Sequence, residues 1–291
     1  MAELPSVGVH PTATDLSMPI LELARETEAR GLRSLYLPEH THVPVDSMQI
    51  TPTWTMSERY QRTLDPYIAT AFIAATTSLE VGTGISLVAE HDAIALAKAV
   101  ATLDAMSDGR VVLGVGYGYN RGEAEDHGVD WQARATVVEE TVALMRALWT
   151  KDVGEFEGRY RRVSPSWSWP KPTQPGGPPV LLGARATART LQRIVDWADG
   201  WIPMGPIMQT DPAFPTFLHE LRQRWRDAGR AGEPQICYFF DPGDRDEMAR
   251  QIEKAASFGI QRMQVFLEDR TRGDALPILD ELAAAVSAVT A

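Results

Sequence analysis

Residues 97–118 read AKAVATLDAMSDGRVVLGVGYG: a helical stretch, then a β-branched and apolar run over Val111–Tyr117, with glycines at 114, 116 and 118. One helix–strand unit does not define a fold, but its repetition does. Working outward, similar short runs recur at Ser6–His10, Ser34–Pro38, Leu79–Ser86, Pro179–Gly183, Gly200–Met204, Gln235–Asp241 and Gln261–Leu267, giving eight expected strands. Stretches of helical period follow them. Val137, Val138, Thr141, Leu144, Met145 and Leu148 share one helix face, and Phe214, Phe217, Leu218, Leu221 and Trp225 another. Met248, Ile252, Ala255 and Phe258 form a third, stopped by Gly259, and Leu279, Leu282, Val286 and Val289 a fourth. Asp65-Pro66 and Asp211-Pro212 each look like an N-cap aspartate with proline in the first turn. Eight strand–helix units in 291 residues predict an α/β fold, a closed (β/α)8 TIM barrel. An open doubly wound sheet usually needs fewer strands. We therefore expect a single barrel domain over 1–291, with functional residues just after the strands.

Composition narrows the function. Hydrophobic residues make up 44% and charged residues 23%, ordinary for a globular chain with a sizeable core. Against 28 basic residues stand 39 acidic ones, a net charge of −11, which argues against nucleic-acid and anionic-membrane partners. The single cysteine, Cys237, excludes an internal disulfide and any multi-cysteine metal site. The first residues carry no basic-then-apolar leader, and no run approaches ~18 apolar residues, so a soluble cytoplasmic protein is expected.

Two connections are too long to be simple turns. Residues 41–64, after the second strand, hold Trp54 and Tyr60 and are the lid candidate on the functional face. Residues 151–178, before the fifth strand, begin with a hairpin over Glu155–Val163 turned at Gly158 and continue into a Trp/Pro stretch. This second segment reads as a packing insertion.

Four of the six histidines, His10, His40, His42 and His91, fall near the ends of the first three strands, with Glu39 and Glu90 beside two of them. Such a rim suits acid–base chemistry. His40-Thr-His42 also resembles a pair of zinc ligands. However, no histidine or lysine ends strands four to six, so no metal ligand is assigned and a metal-dependent barrel hydrolase stays an alternative. Gly114-Val-Gly116-Tyr-Gly118 lacks dinucleotide-fingerprint spacing, but glycines there let a backbone approach a ligand and free N–H groups for phosphate. Gly183-Ala184-Arg185 leads into the next helix and adds a second arginine-flanked anion site. Gly82 and Gly84 inside the third strand suggest a bulge or a close ligand.

Ala24–Gly31 (ARETEARG), Ser34–His40 (SLYLPEH), Val81–Ser86, Ala97–Gly118, Pro178–Gly183, Asp199-Gly-Trp201 and the Gly158 hairpin together resemble the luciferase-like flavin and deazaflavin oxidoreductases. The resemblance covers about residues 16–270 and is nearest the subgroup that uses coenzyme F420. It implies a bacterial-luciferase-like barrel, a homodimer, and hydride transfer between the deazaflavin and a small-molecule substrate. His40 would act as proton donor or acceptor. Glu39 would contact the cofactor, and a non-proline cis bond at Gly84–Ile85 would back its ring. Gly116, Tyr117 and Gly118, with Gly183, Ala184 and Arg185, would hold its phosphate and charged end. Apart from the resemblance, His10, Trp54, His91 and Tyr119 are the candidates for the substrate pocket. Tyr119 stands where the group's sugar-phosphate dehydrogenases carry an acidic residue, which counts against sugar-phosphate oxidation. The alternative on the same barrel is a flavin mononucleotide (FMN) monooxygenase supplied with reduced flavin by a separate reductase.

Overall fold

The structure is a computed structural model and describes residues 3–204 and 211–290. Eight parallel strands close into a barrel: β1 (Ser6–His10), β2 (Ser34–Leu37), β5 (Glu80–Ser86), β6 (Val111–Gly116), β9 (Val180–Ala184), β10 (Gly200–Pro203), β11 (Gln235–Phe240) and β12 (Arg262–Phe266), with β12 pairing back onto β1. All eight expected strands are present. Residues such as Val111–Gly116 are buried on both faces, because the barrel interior covers one and the helices the other.

The helices are α1 (Ile20–Ala29), α2 (Pro66–Thr76), α3 (Ala93–Met106), α4 (Arg121–Asp126), α5 (Arg134–Thr150), α6 (Ala188–Trp197), α7 (Phe214–Asp227), α8 (Arg245–Ser257) and α9 (Arg272–Thr290). Asp65 caps α2 as expected, accepting the Ile68 N–H at 2.8 Å. Asp211 does not cap α7. It accepts the Ala213 N–H in the turn before, and Pro215 takes the first-turn position instead of Pro212. Gly259 ends α8 with a φ of +64°, where a side chain would be strained.

The N-terminal end of the barrel is plugged by polar residues from strand starts. Arg262 pairs with both oxygens of Glu80 and donates to Gln235, and the Tyr36 hydroxyl donates to Glu80. Above them Tyr36, Val112, Leu181, Ile202, Cys237 and Phe239 fill the interior, with Ile85 and Phe266 half-buried toward the open end. Functional groups are thereby confined to the C-terminal mouth.

The two long connections take different roles. In residues 151–178 the strands β7 (Val153–Glu157) and β8 (Arg162–Trp167) form the expected hairpin. It is fastened to α5, where the Glu140 carboxylate accepts the N–H groups of Arg159, Tyr160 and Arg161. Residues 41–64 include a small hairpin, β3 (Gln49–Thr51) and β4 (Trp54–Thr55), and lie at the mouth. They are tied to both sides of it: Leu64 N–H donates to Ala13, Arg62 pairs with Asp15, Arg59 pairs with Glu268, and Asn120 donates to Ser47.

Candidate active site

His40 ends the turn after β2 and is almost fully buried. Its Nδ1 lies 2.7 Å from Oε2 of Glu123, and its Nε2 lies 2.7 Å from the Tyr119 hydroxyl. Glu123 also accepts the Thr41 N–H, at 2.9 Å. The Tyr60 ring from the lid meets His40 edge-on at 5.1 Å, and Trp54 reaches Tyr119 at 5.0 Å between centroids. His40, Tyr119 and Trp54, expected separately, are thus one contiguous group. Tyr60 was expected only as part of the lid, and Glu123 was not foreseen.

Glu39 forms a second network. Its carboxylate accepts from Ser86 Oγ at 2.6 Å, the Leu87 N–H at 2.7 Å and His91 Nε2 at 2.7 Å. Burial opposes its charge, yet the His91, Ser86 and Leu87 bonds outweigh burial and hold the carboxyl below the usual range. His91 is raised in turn, because Glu39 more than offsets its own desolvation. Glu39 and His91 therefore clamp the loops after β2 and β5 together.

Between these networks lies Glu90. Its Oε2 is buried, 3.9 Å from His127 and without a hydrogen bond. Burial, and then the charges of Glu123 and Glu39, push its carboxyl up to about 9. A raised value in the fold means that the unfolded chain releases this proton first, above about 4.5. The contribution of Glu90 to stability is therefore fully present below that pH and is lost as pH rises toward about 9. Glu90→Gln, permanently neutral, is expected to raise Tm at pH 8 and leave it unchanged at pH 4.5. Equal shifts at both pH values would contradict this account of the rim.

The floor of the mouth is apolar and glycine-shaped. The register of β5 against β6 shifts between Thr83 and Ser86, so the bulge expected from Gly82 and Gly84 is present. The expected cis bond is not: among the described residues the one cis peptide is Trp169–Pro170, and Gly84–Ile85 is trans. The extra residue of the bulge redirects the strand without the ~3–4 kcal/mol of a cis non-proline bond. Ile85 lies across Gly116 and Gly183, where added Cβ atoms would fall 2.8 and 1.6 Å from its side chain. A Cβ at Gly84 would strike Phe239 at 2.6 Å and approach His10 at 3.3 Å. His10 is stacked on Phe239, donates from Nδ1 to the Tyr36 carbonyl, and is pushed down to about 4 by burial. It is a neutral floor residue under ordinary conditions.

The remaining expected residues separate by face. Because Gly114 and Gly116 face inward, Tyr117 faces outward, its ring beneath the Arg193 guanidinium at 5.1 Å. Only its backbone belongs to the mouth. Gly118 turns the chain with a φ of +71°, and its Cβ position lies 3.7 Å from Glu90 Oε1. The Ala184 carbonyl accepts from Trp201, and Arg185 is exposed just before Thr187, the N-cap of α6. His42 diverges from His40 toward Asp126. Among the described residues no three side chains are grouped so as to hold a metal, so the hydrolase alternative has no ligand set. No helix among them is long and apolar enough to cross a membrane.

An uncharacterised protein of Mycobacterium tuberculosis is 40% identical over 266 residues that cover 90% of this chain and 91% of that one. An F420-dependent glucose-6-phosphate dehydrogenase of Nakamurella multipartita is 28% identical over 261 residues, 86% of this chain and 67% of that one. Among solved structures, an F420-dependent secondary alcohol dehydrogenase, determined with an F420–acetone adduct, superposes with a TM-score of 0.76 at 17% identity, covering 99% of each chain. The luciferase-like monooxygenase family model matches residues 7–278, nearly the whole barrel with its rim and lid, and the chain belongs to that family.

Proposed function

We propose that the protein transfers a hydride between F420 and a small, uncharged organic substrate, with His40 as the proton donor or acceptor. The observation that carries this reading is the His40 side chain, buried at the mouth with one nitrogen spent on Glu123 and the other on a tyrosine beneath the aromatic lid. Hydride transfer to or from a carbon–oxygen bond requires a proton at the oxygen, and an imidazole is a group that can give or take it.

The residues present suit the cofactor. Ile85, Phe239 and Phe266 give an apolar floor, and the inward glycines at 84, 116 and 183 let the Ile85 and Phe239 side chains lie down against the strands, where a planar ring would rest on them. Gly116, Gly118, Gly183 and Ala184 would offer backbone to its phosphate, and Arg185 a cation to its charged end. When bound, F420 supplies a two-electron hydride carrier. Glu39 acts at one remove, by fixing the Ser86–Leu87 segment that continues the bulge. Trp54 and Tyr60 exclude water from the His40 side.

The substrate class follows from charge. The lid arginines Arg59 and Arg62 are already paired with Glu268 and Asp15, and carboxylates crowd the rim. A phosphorylated sugar would find no free lid cation among these. Pairing of two copies through the outer faces of α1 and α2, where Ile68 and Phe72 stand 64% and 60% exposed, belongs to the same reading.

Fluorescence titration of the purified protein with F420 and, separately, with FMN tests the cofactor. F420 is expected to bind at micromolar concentration and FMN at least about tenfold more weakly, ~1.4 kcal/mol. Preference for FMN would instead make the protein a monooxygenase fed by a separate reductase. Binding of neither would remove the cofactor reading altogether.

A further inference from the structure

We propose that Glu123 is a positioning residue that holds His40 in the Nδ1–H tautomer and so makes Nε2 the nitrogen that exchanges the proton. This rests on the role just given to His40.

The local sequence makes Glu123 unusual. Asn120 is the N-cap of α4 and its Oδ1 accepts the Glu123 N–H at 3.3 Å, so Glu123 occupies the third helical position. In a capping box the glutamate there turns back to the N-cap N–H. Glu123 turns away instead. Its two oxygens reach consecutive residues of the turn after β2: the Thr41 N–H on Oε1 and His40 Nδ1 on Oε2. Its side chain is 1% exposed and that of His40 is 5%. A carboxylate taken out of water carries a desolvation penalty that packing alone does not require.

The tautomer follows from hydrogen-bond chemistry. An ionised carboxylate accepts only, so Nδ1 carries the proton in its bond to Glu123. In neutral imidazole Nε2 is then the acceptor, and the Tyr119 hydroxyl donates to it at 2.7 Å. No other rim carboxylate is bonded to His40 in its place: Glu39 is committed to His91, Ser86 and Leu87. The loop that supplies the imidazole is held by the same carboxylate that fixes its tautomer, so ring and backbone are oriented together.

Glu123→Gln is the appropriate variant. Its amide oxygen can still accept from Thr41, while its NH2 donates to Nδ1 and forces the proton to Nε2. Two-dimensional 15N–1H spectra of the imidazole groups, with His40 assigned by its loss in His40→Gln, read the tautomer in the cofactor-free protein. The expected result is Nδ1–H in the wild type and Nε2–H in E123Q, with kcat falling by about 10²–10⁴-fold and KM nearly unchanged. A merely structural Glu123 would lower Tm but leave the tautomer as it was. Nε2–H in the wild type overturns the proposal even if E123Q does not fold, as does an unchanged tautomer in a folded E123Q. A tautomer that switches while turnover persists would confirm the orientation of His40 and sink its catalytic role, separating the two readings.

Discussion

His40→Ala is expected to lower kcat by about 10²–10⁴-fold while F420 affinity stays within about threefold of the wild type. The expectation rests on where the imidazole stands. Its neighbours are Glu123, Tyr119 and Tyr60, whereas the floor suited to the cofactor ring is built by Ile85, Phe239, Phe266 and His10. Removing His40 therefore takes away the proposed proton-exchanging group without opening the floor. It also leaves the Glu123 carboxylate without its ring partner, still bonded to Thr41, so some loss of stability accompanies the kinetic effect. His40→Gln, which keeps a polar group near Glu123, separates the two: stability should return and turnover should not. The measurements are single-turnover rates of cofactor oxidation or reduction, fluorescence titration, and thermal melts. Full turnover in a folded His40→Ala protein would exclude the acid–base role.

The fold and the site were legible to different depths, for physical reasons. Parallel strands buried on both faces appear as short continuous apolar or β-branched runs, so all eight could be read, with ends such as Leu37 and Gly116 a residue short of expectation. Because functional groups of a barrel collect after the strands, the same runs pointed to His10, His40 and His91. Strand alternation was also available for Tyr117, since inward Gly114 and Gly116 imply an outward neighbour. Glu123 was not legible in this way. It sits in the charged run Arg121–Asp126, which reads as a solvated helix, and it meets His40 across 83 positions of sequence. The one local clue was Asn120 three residues before a glutamate, which announces a helix start but not where the glutamate points. Likewise, Gly82 and Gly84 announced the bulge, whereas the geometry of the Gly84–Ile85 bond depended on how the paired strand accommodates the extra residue.

Gly82→Ala is expected to be a severely damaging small substitution, costing ~3 kcal/mol or more. Gly82 pairs with Val112 across β5 and β6, and a Cβ there would lie 2.0 Å from the Val112 carbonyl oxygen and 3.0 Å from its carbon. Carbon and oxygen approach to about 3.3 Å even in weak C–H···O contacts, so more than an ångström must be found. The obstacle is backbone and cannot change rotamer. β5 is held by β2 on one side and β6 on the other within a closed ring, so separating one pair strains the rest. Gly128→Ala is the matched control. Its φ of +74° strains an alanine, but nothing lies within 4 Å of the added methyl, and the expected cost is ~1–2 kcal/mol. Chemical denaturation of both variants compares close approach with backbone strain directly, and equal losses would refute the steric account. The consequence extends to the mouth, since Gly82 precedes the bulge that lays Ile85 over Gly116 and Gly183. A Gly82→Ala protein that still folds must shift β5, and with it the floor against which the cofactor ring would rest. It should therefore lose cofactor affinity that Gly128→Ala retains.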